Sequence, residues 1–246
     1  VPNYSAGSTT ISNNTYAIRY PSPNFDILQP NGSPTLTGNT YNGIALDGGS
    51  VTTNRRWYSI TYDYILLGNL TVAEYAAAPR LTIEPGNTLR FLPGTQMKVG
   101  ADYPYGGEIY AIGTSDSLIT FTSFNGLSGG WNGIFFTEYS DNYGGLTQMI
   151  YCVIEKGNDY NLYSHMTVQP SLIQNCTIQN ALLDGARYFS SSGTISDCHY
   201  LNNGRYPLYW MNPACNPIHS GNTFTGNVIN KIALEGGTYN VSRTLT

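Results

Sequence analysis

The chain is short of charge. Lys and Arg together number 11 and Asp and Glu 15 among 246 residues, and no basic cluster exceeds Arg55-Arg56. Gripping a phosphate backbone needs a basic patch, so nucleic acid is excluded as a partner. Long apolar runs are missing too: no window approaches the ~18 consecutive apolar residues of a membrane-spanning helix. Helical periodicity is almost absent. Its best stretch, Val72 to Ala78, stops at Pro79 and reads as a loop or a single helical turn between strands. The four cysteines are too far apart for a CxxC pair, and no His/Cys metal spacing, phosphate-binding glycine loop or Ser/His/Asp signature occurs. No metal and no cofactor are expected. The chain starts at Val1-Pro2 without Met or a signal-like segment, which reads as a mature product or an excised piece.

What fills the space is 27 Gly, 13 Pro and 21 Tyr, so the polar surface must come from Ser, Thr, Asn and Tyr. From Leu81 to Gly100 apolar and polar residues alternate for three to five positions at a time (Leu81 and Ile83, Leu89 and Phe91, Met97 and Val99). Each run is closed by Pro-Gly or Gly. Pro presets φ and Gly accepts φ > 0, so Pro85-Gly86 and Pro93-Gly94 turn short strands sharply. The same texture continues through Ile109 to Gly113, Ile119 to Thr122 and Trp131 to Phe136.

Two periods organise the chain. Thr10-Ile11-Ser12 recurs as Thr194-Ile195-Ser196, and Arg19-Tyr20-Pro21 as Arg205-Tyr206-Pro207. Gly38-Asn39-Thr40-Tyr41 recurs as Gly221-Asn222-Thr223-Phe224, and Ile44 to Gly49 as Ile232 to Gly237. The offsets, 184, 186, 183 and 188 residues, make residues 194–243 a second version of 10–55 within one elongated domain spanning 1–246. Inside this long repeat lies a period of 22 to 24 residues, seen in Cys152, Cys176 and Cys198, and in Ile150, Ile173 and Ile195. Such a unit, with strands and no helix, suits one coil of three short strands and three turns. Ile150, Ile173 and Ile195 are expected in one inward ladder, and Ile154 and Ile178 in another. Asn158, Asn180 and Asn202 fall where a side chain must tolerate left-handed backbone and hydrogen-bond along the stack. The expected fold is all-β: a right-handed parallel β-helix, a three-sheet solenoid of about ten coils.

The stretches Ala45 to Thr52, Gly68 to Val72, Leu81 to Gly94, Ala111 to Thr114, Ile119 to Ser123 and Gly130 to Phe136 carry, in order, ALxGGxVT, GNLTV, LTIEPGxTLRFxPG, AxGT, ITFTS and GxWxGIxF. In these the chain resembles the right-handed parallel β-helix repeat proteins of bacterial surfaces, with the likeness strongest over residues 38–140. The resemblance implies the fold and an extracellular or cell-surface setting. It leaves function open, because one coil geometry carries lyases, hydrolases, adhesins and spacers.

Two classes of function follow. The first is a non-catalytic structural or adhesive module, partnered end to end by copies of itself or neighbouring repeats, with surface polysaccharide as a further partner. Its expected assembly ends are Ile11 and Tyr16 at one side and Ile232 and Leu234 at the other. The second is a polysaccharide-active β-helix enzyme, a lyase or glycoside hydrolase, or a carbohydrate-binding module. Its acids and bases would come from Glu138, Asp141, Glu155, Lys156, Asp159, His165, Asp184, Arg187, Asp197 and His199, provided that stacking gathers them. Most of these stand singly beside turns, so the first class is favoured and no catalytic residue is assigned.

Exposed aromatic rings stack on sugars, and Trp210, Tyr209, Tyr103 and Tyr105 are the candidates for that role. Trp57 and Trp131 sit in packing motifs instead. The long repeat sets Cys198 near Asn14 and Cys215 at Gly32, so the first copy lacks both cysteines together. A Cys198–Cys215 disulfide would account for this, closing a loop worth roughly 3 kcal/mol. Cys152 and Cys176 would then be bonded to each other or stacked as thiols. The alternative is that all four are buried fillers.

Overall fold

A computed structural model describes residues 9–27, 34–165, 172–189, 193–212, 215 and 218–237. The strands are two to six residues long. They stack into three parallel sheets, here sheet I, II and III, of seven, nine and eight strands. Each turn of the chain visits them in that order. Arg80–Ile83 lies in sheet I, Thr88–Phe91 in II and Met97–Val99 in III, and the next visit to sheet I is Glu108–Ile112, paired in parallel with Arg80–Ile83. Thr10–Ser12 and Thr35–Thr37 pair separately ahead of sheet I. The molecule is thus a parallel β-helix of about eight turns.

Ten turns were expected because the 22 to 24 residue period was extended to the whole chain. It holds from Met149 to Ile173 to Ile195, but the register from Leu81 to Ile109 spans 28 residues and that from Tyr110 to Gln148 spans 38. The extra length goes into turns, among them the one around Val72 to Ala78. That stretch has no helical turn: Glu74–Tyr75 pairs antiparallel with Tyr105–Gly106. The 3-10 turn Asn142–Gly144 is the helical element among the described residues.

Alternation sets which side chains enter the core. Leu81, Ile83, Leu89, Phe91, Met97 and Val99 are all buried, as are Trp57 and Trp131. Trp131 stacks on Phe91 with centroids 4.3 Å apart, and its Nε1 donates to the Glu155 carbonyl at 2.8 Å. One expected ladder is corrected. Ile178 stacks on Ile154 as anticipated, but Ile173 and Ile195 stack on Met149, while Ile150 faces outward opposite Gln174. The spacing explains this, since Met149-x-x-Cys152 matches Ile173-x-x-Cys176 and Ile195-x-x-Cys198.

The corner between sheets I and II takes a left-handed residue followed by Asn or Cys. Asn13, Gly38, Gly86, Tyr151, Asn175, Asp197 and Gly221 have φ between 51° and 81°. The next residue satisfies the backbone of the neighbouring coil. Asn39 Oδ1 accepts from the Asn14 N–H at 2.9 Å, and its amide donates to the Ile11 carbonyl at 2.8 Å. Asn222 does the same for the Cys198 N–H and the Ile195 carbonyl, at 2.9 and 3.0 Å. Cys176 repeats the pattern with sulfur. Its Sγ accepts from the Cys152 N–H at 3.4 Å and its thiol donates to the Met149 carbonyl at 3.3 Å. Corner N–H and C=O groups buried without partners would each cost about 1–3 kcal/mol.

The expected Cys198–Cys215 disulfide is corrected: no disulfide joins the four cysteines, and all four are buried. Cys198 matches Asn14 in the long repeat because both stand at this corner. Burial together with its cysteine neighbour pushes the Cys176 thiol well above its usual range, so it stays protonated and able to donate. At the corner between sheets II and III, Lys156, Asn180, Asn202 and Gly226 are left-handed. Asn180 and Asn202 were expected there, whereas Lys156 takes the place assigned to Asn158.

The long repeat is only partly structural. Its Gly-Asn-Thr match occupies the same corner in both copies, but Ile44 to Leu46 lies in sheet II while Ala233–Leu234 lies in sheet III.

Candidate functional site

Three successive turns leading from sheet III back to sheet I carry exposed tyrosines. The turn after Leu70–Val72 bears Tyr75, the turn after Met97–Val99 bears Tyr103 and Tyr105, and the turn after Ile134–Phe136 bears Tyr139 and Tyr143. Tyr75 and Tyr105 are joined by their short antiparallel pairing, with rings edge-on at 5.7 Å and 79°. Tyr103 meets Tyr139 at 5.7 Å, tilted by 57°. The Tyr143 ring lies over Gly106, where an added Cβ would sit 3.0 Å from Cδ2. Tyr103 is 73% exposed, Tyr75 63%, Tyr143 50% and Tyr105 41%, so these rings are not spent on the core.

The backbone beneath is tightly fitted. A Cβ on Gly107 would stand 1.9 Å from the Val72 carbonyl oxygen, so only glycine lets the second turn pass the first. Asp141, with φ 63°, caps the 3-10 turn Asn142–Gly144 within the third turn; its N–H donates to the Gly107 carbonyl at 3.0 Å. The surrounding charge is acidic, from Glu74, Asp102 and Glu138 on the same turns. Arg80, the cation that opens the adjoining sheet I strand, is held by Glu108 at 2.6 Å and lies over the Tyr110 ring. Both Tyr139, through its bond to Glu138, and Tyr143, through burial, hold their phenol pKa above the usual value and remain hydroxyl donors.

Asp141 has a catalytic-looking property. Burial raises its pKa to about 7, against lowering hydrogen bonds from Thr147 and with a smaller raising contribution from Glu108. Yet the carboxyl is fully covered, so it cannot reach a ligand; Oδ1 takes the Thr147 hydroxyl at 2.7 Å and Oδ2 is unpartnered. Its role is to hold the turn beneath Tyr143. Because the folded pKa lies above the ordinary carboxyl value of 3.8, the protonated form stabilises the fold at low pH, and that contribution is lost as pH rises through about 7. Between pH 5 and pH 8 the melting temperature is expected to fall in the native protein and to fall less in Asp141→Asn, as read by calorimetry at both pH values. Equal falls would contradict this account.

The other residues singled out from sequence are dispersed. Trp210 is buried and points into the core, which removes it as a sugar platform. Tyr209 faces outward from sheet III, but Arg205 covers its ring at 5.4 Å and its hydroxyl bonds Glu235. Glu155 lies on sheet II, bonded by Lys156, Thr122 and Gln179 at 2.7–2.8 Å. Burial alone would raise its pKa, but those three bonds outweigh it and leave the pKa lowered. Asp184 and Arg187 lie on sheet III, and Arg205, from the turn before Leu208–Trp210, pairs with Asp184. Asp159 is exposed at the turn before sheet III. His165 packs on Phe189, and His199 bonds Thr223. Asp197 takes the Gln174 side-chain amide at 3.4 Å. Stacking thus disperses the expected acids and bases over sheets II and III and the turns between the sheets.

Sequence reasoning found Tyr103 and Tyr105 and missed Tyr75, Tyr139 and Tyr143. The available signal was a tyrosine in each of three consecutive long turns. No family model, curated protein or solved structure matches the chain.

Proposed function

We propose that this chain is a non-catalytic structural and adhesive β-helix module of a cell surface, its coil stack continued end to end by copies of itself or by neighbouring repeats. The observation that carries this reading is the state of the outermost strands. Among the described residues, Tyr16–Tyr20 at one end of sheet II and Thr223–Thr225 at the other each pair on one side only, as does Ala233–Leu234 in sheet III. An unpaired strand edge presents rows of N–H and C=O groups that recruit another strand. Apolar side chains accompany them: Ile11, Phe224 and Ile232 are only partly covered by the core, and Leu234 is 40% exposed. Tyr16 already stacks on Tyr41, at 5.0 Å and 10°, in the manner of a ladder that another ring could extend. The Asn39 and Asn222 corners, near opposite ends, make the same bonds, so both ends present related coils.

The surface-protein motif run in residues 38–140 supports the extracellular setting. No described helix is long and apolar enough to cross a membrane. Light scattering across a wide concentration range tests the reading. Mass growing with concentration, and falling when Phe224 and Leu234 are both changed to Asp, is the expected result; a monodisperse monomer throughout would overturn it.

A further inference from the structure

We propose that the tyrosine-lined edge formed by Tyr75, Tyr103, Tyr105, Tyr139 and Tyr143 binds neutral polysaccharide. The inference rests on the adhesive part of the reading above and not on end-to-end assembly.

The chemistry of the patch selects the ligand. A pyranose ring has an apolar C–H face and a rim of hydroxyls, so it needs an open aromatic face next to hydrogen-bonding groups. Half-exposed tyrosines meet the first need, because their amphipathic rings offer large rigid area at low entropy cost. Here neighbouring rings meet edge-on or tilted rather than face to face, so the rings do not consume one another's faces. Carboxylates on the same turns meet the second need, accepting hydrogen bonds from sugar hydroxyls, while the phenols both donate and accept.

Charge narrows the class further. The turns carry Glu74, Asp102 and Glu138 and no Lys or Arg. Every arginine among the described residues is already paired with a carboxylate. Lys98 is half-buried within sheet III and outside these turns, so uronic acid polymers and sulfated glycans would meet repulsion with no cation on the turns to bind them, which leaves neutral chains. The edge also suits a polymer more than a single sugar, since its rings come from three turns stacked along the axis, each turn one coil further on. The fit of Gly107 against Val72 and the cross-turn bond from Ala76 N–H to the Pro104 carbonyl at 3.0 Å hold the turns in place before any ligand arrives. Such preorganisation lowers the ordering cost of binding.

Native affinity electrophoresis in gels cast with a mixed-linkage glucan, a xylan or a galactomannan tests this, with polygalacturonate and heparin as anionic controls. The native protein is expected to be retarded by at least one neutral polymer and by neither anionic one. The double substitution Tyr75→Ala and Tyr103→Ala removes the two most exposed rings and is expected to weaken retardation at least tenfold. Its circular dichroism and melting temperature should match those of the native chain. Tyr209→Phe, on another face, should leave retardation unchanged. Retardation by no neutral polymer, retardation only by the anionic ones, or equal retardation of native and doubly substituted protein would each overturn the proposal. Light scattering on the same double variant separates this site from assembly. Unchanged mass leaves the assembly reading intact whatever the gels show, and lost mass would reassign the patch as a contact between copies and overturn glycan binding.

Discussion

Asp184→Ala is expected to destabilise the protein by about 3–5 kcal/mol, the cost of removing one partner from a buried ion cluster. The Asp184 side chain has no exposed surface, and it accepts from Arg187 Nε at 2.7 Å, from Arg205 Nε at 2.8 Å and from the Tyr206 N–H at 3.3 Å. Removing it strands two guanidinium groups, one 15% and one 36% exposed, and a backbone donor. The loss should be local. In a stack each coil touches only its neighbours, so hydrogen exchange is expected to quicken in the coils from Leu172 to Trp210 and to stay slow from Arg80 to Ile112. Asp184→Asn keeps the shape and should fall between the two. A loss below 1 kcal/mol in urea unfolding, or uniform exchange along the chain, would contradict the assignment.

Trp131→Ala should cost a similar amount, about 3–5 kcal/mol, for a different reason. Trp131 is wholly buried, and its indole both stacks on Phe91 and donates to the Glu155 carbonyl. Alanine leaves a void that the rigid coil cannot close, and an acceptor without its donor. With a melting shift of roughly 2–4 °C per kcal/mol for a chain of this length, the midpoint should drop by about 10 °C. Trp131→Phe, which refills part of the space but cannot donate, should lose less. If the two variants melted together, the void would not be the dominant cost.

The contrast between what was legible and what was not follows from how far each feature reaches along the chain. The alternation of Leu81 to Val99 is local, and it announced both strands and turns. The role of Cys152, Cys176 and Cys198 is a relation between coils, visible only when each thiol is seen against the carbonyl of the coil before it. Read through the long repeat, where the first copy lacks Cys198 and Cys215 together, Cys198 suggested a disulfide. Ile150 misled for a related reason, because the eye matches like residues while the register matches distance from the corner, which chose Met149. The tyrosine edge draws on turns as far apart as Tyr75 and Tyr143, and no local pattern joins them.

The unequal corners have a further consequence. Between Gln174 and Thr177 the first corner has room for two residues, Asn175 and Cys176, and both are committed to backbone geometry or to bonds with the coil before. The route from sheet III back to sheet I runs from Ala73 to Pro79, from Gly100 to Gly107 and from Thr137 to Thr147 without disturbing the register on either side. Outside the close approach at Gly107, this margin of the molecule can therefore be rewritten while the frame stays as it is. Gly144, with open space around its Cβ position, is the natural place to graft a foreign loop, and the solenoid then becomes a rod that displays guests at intervals along a single edge.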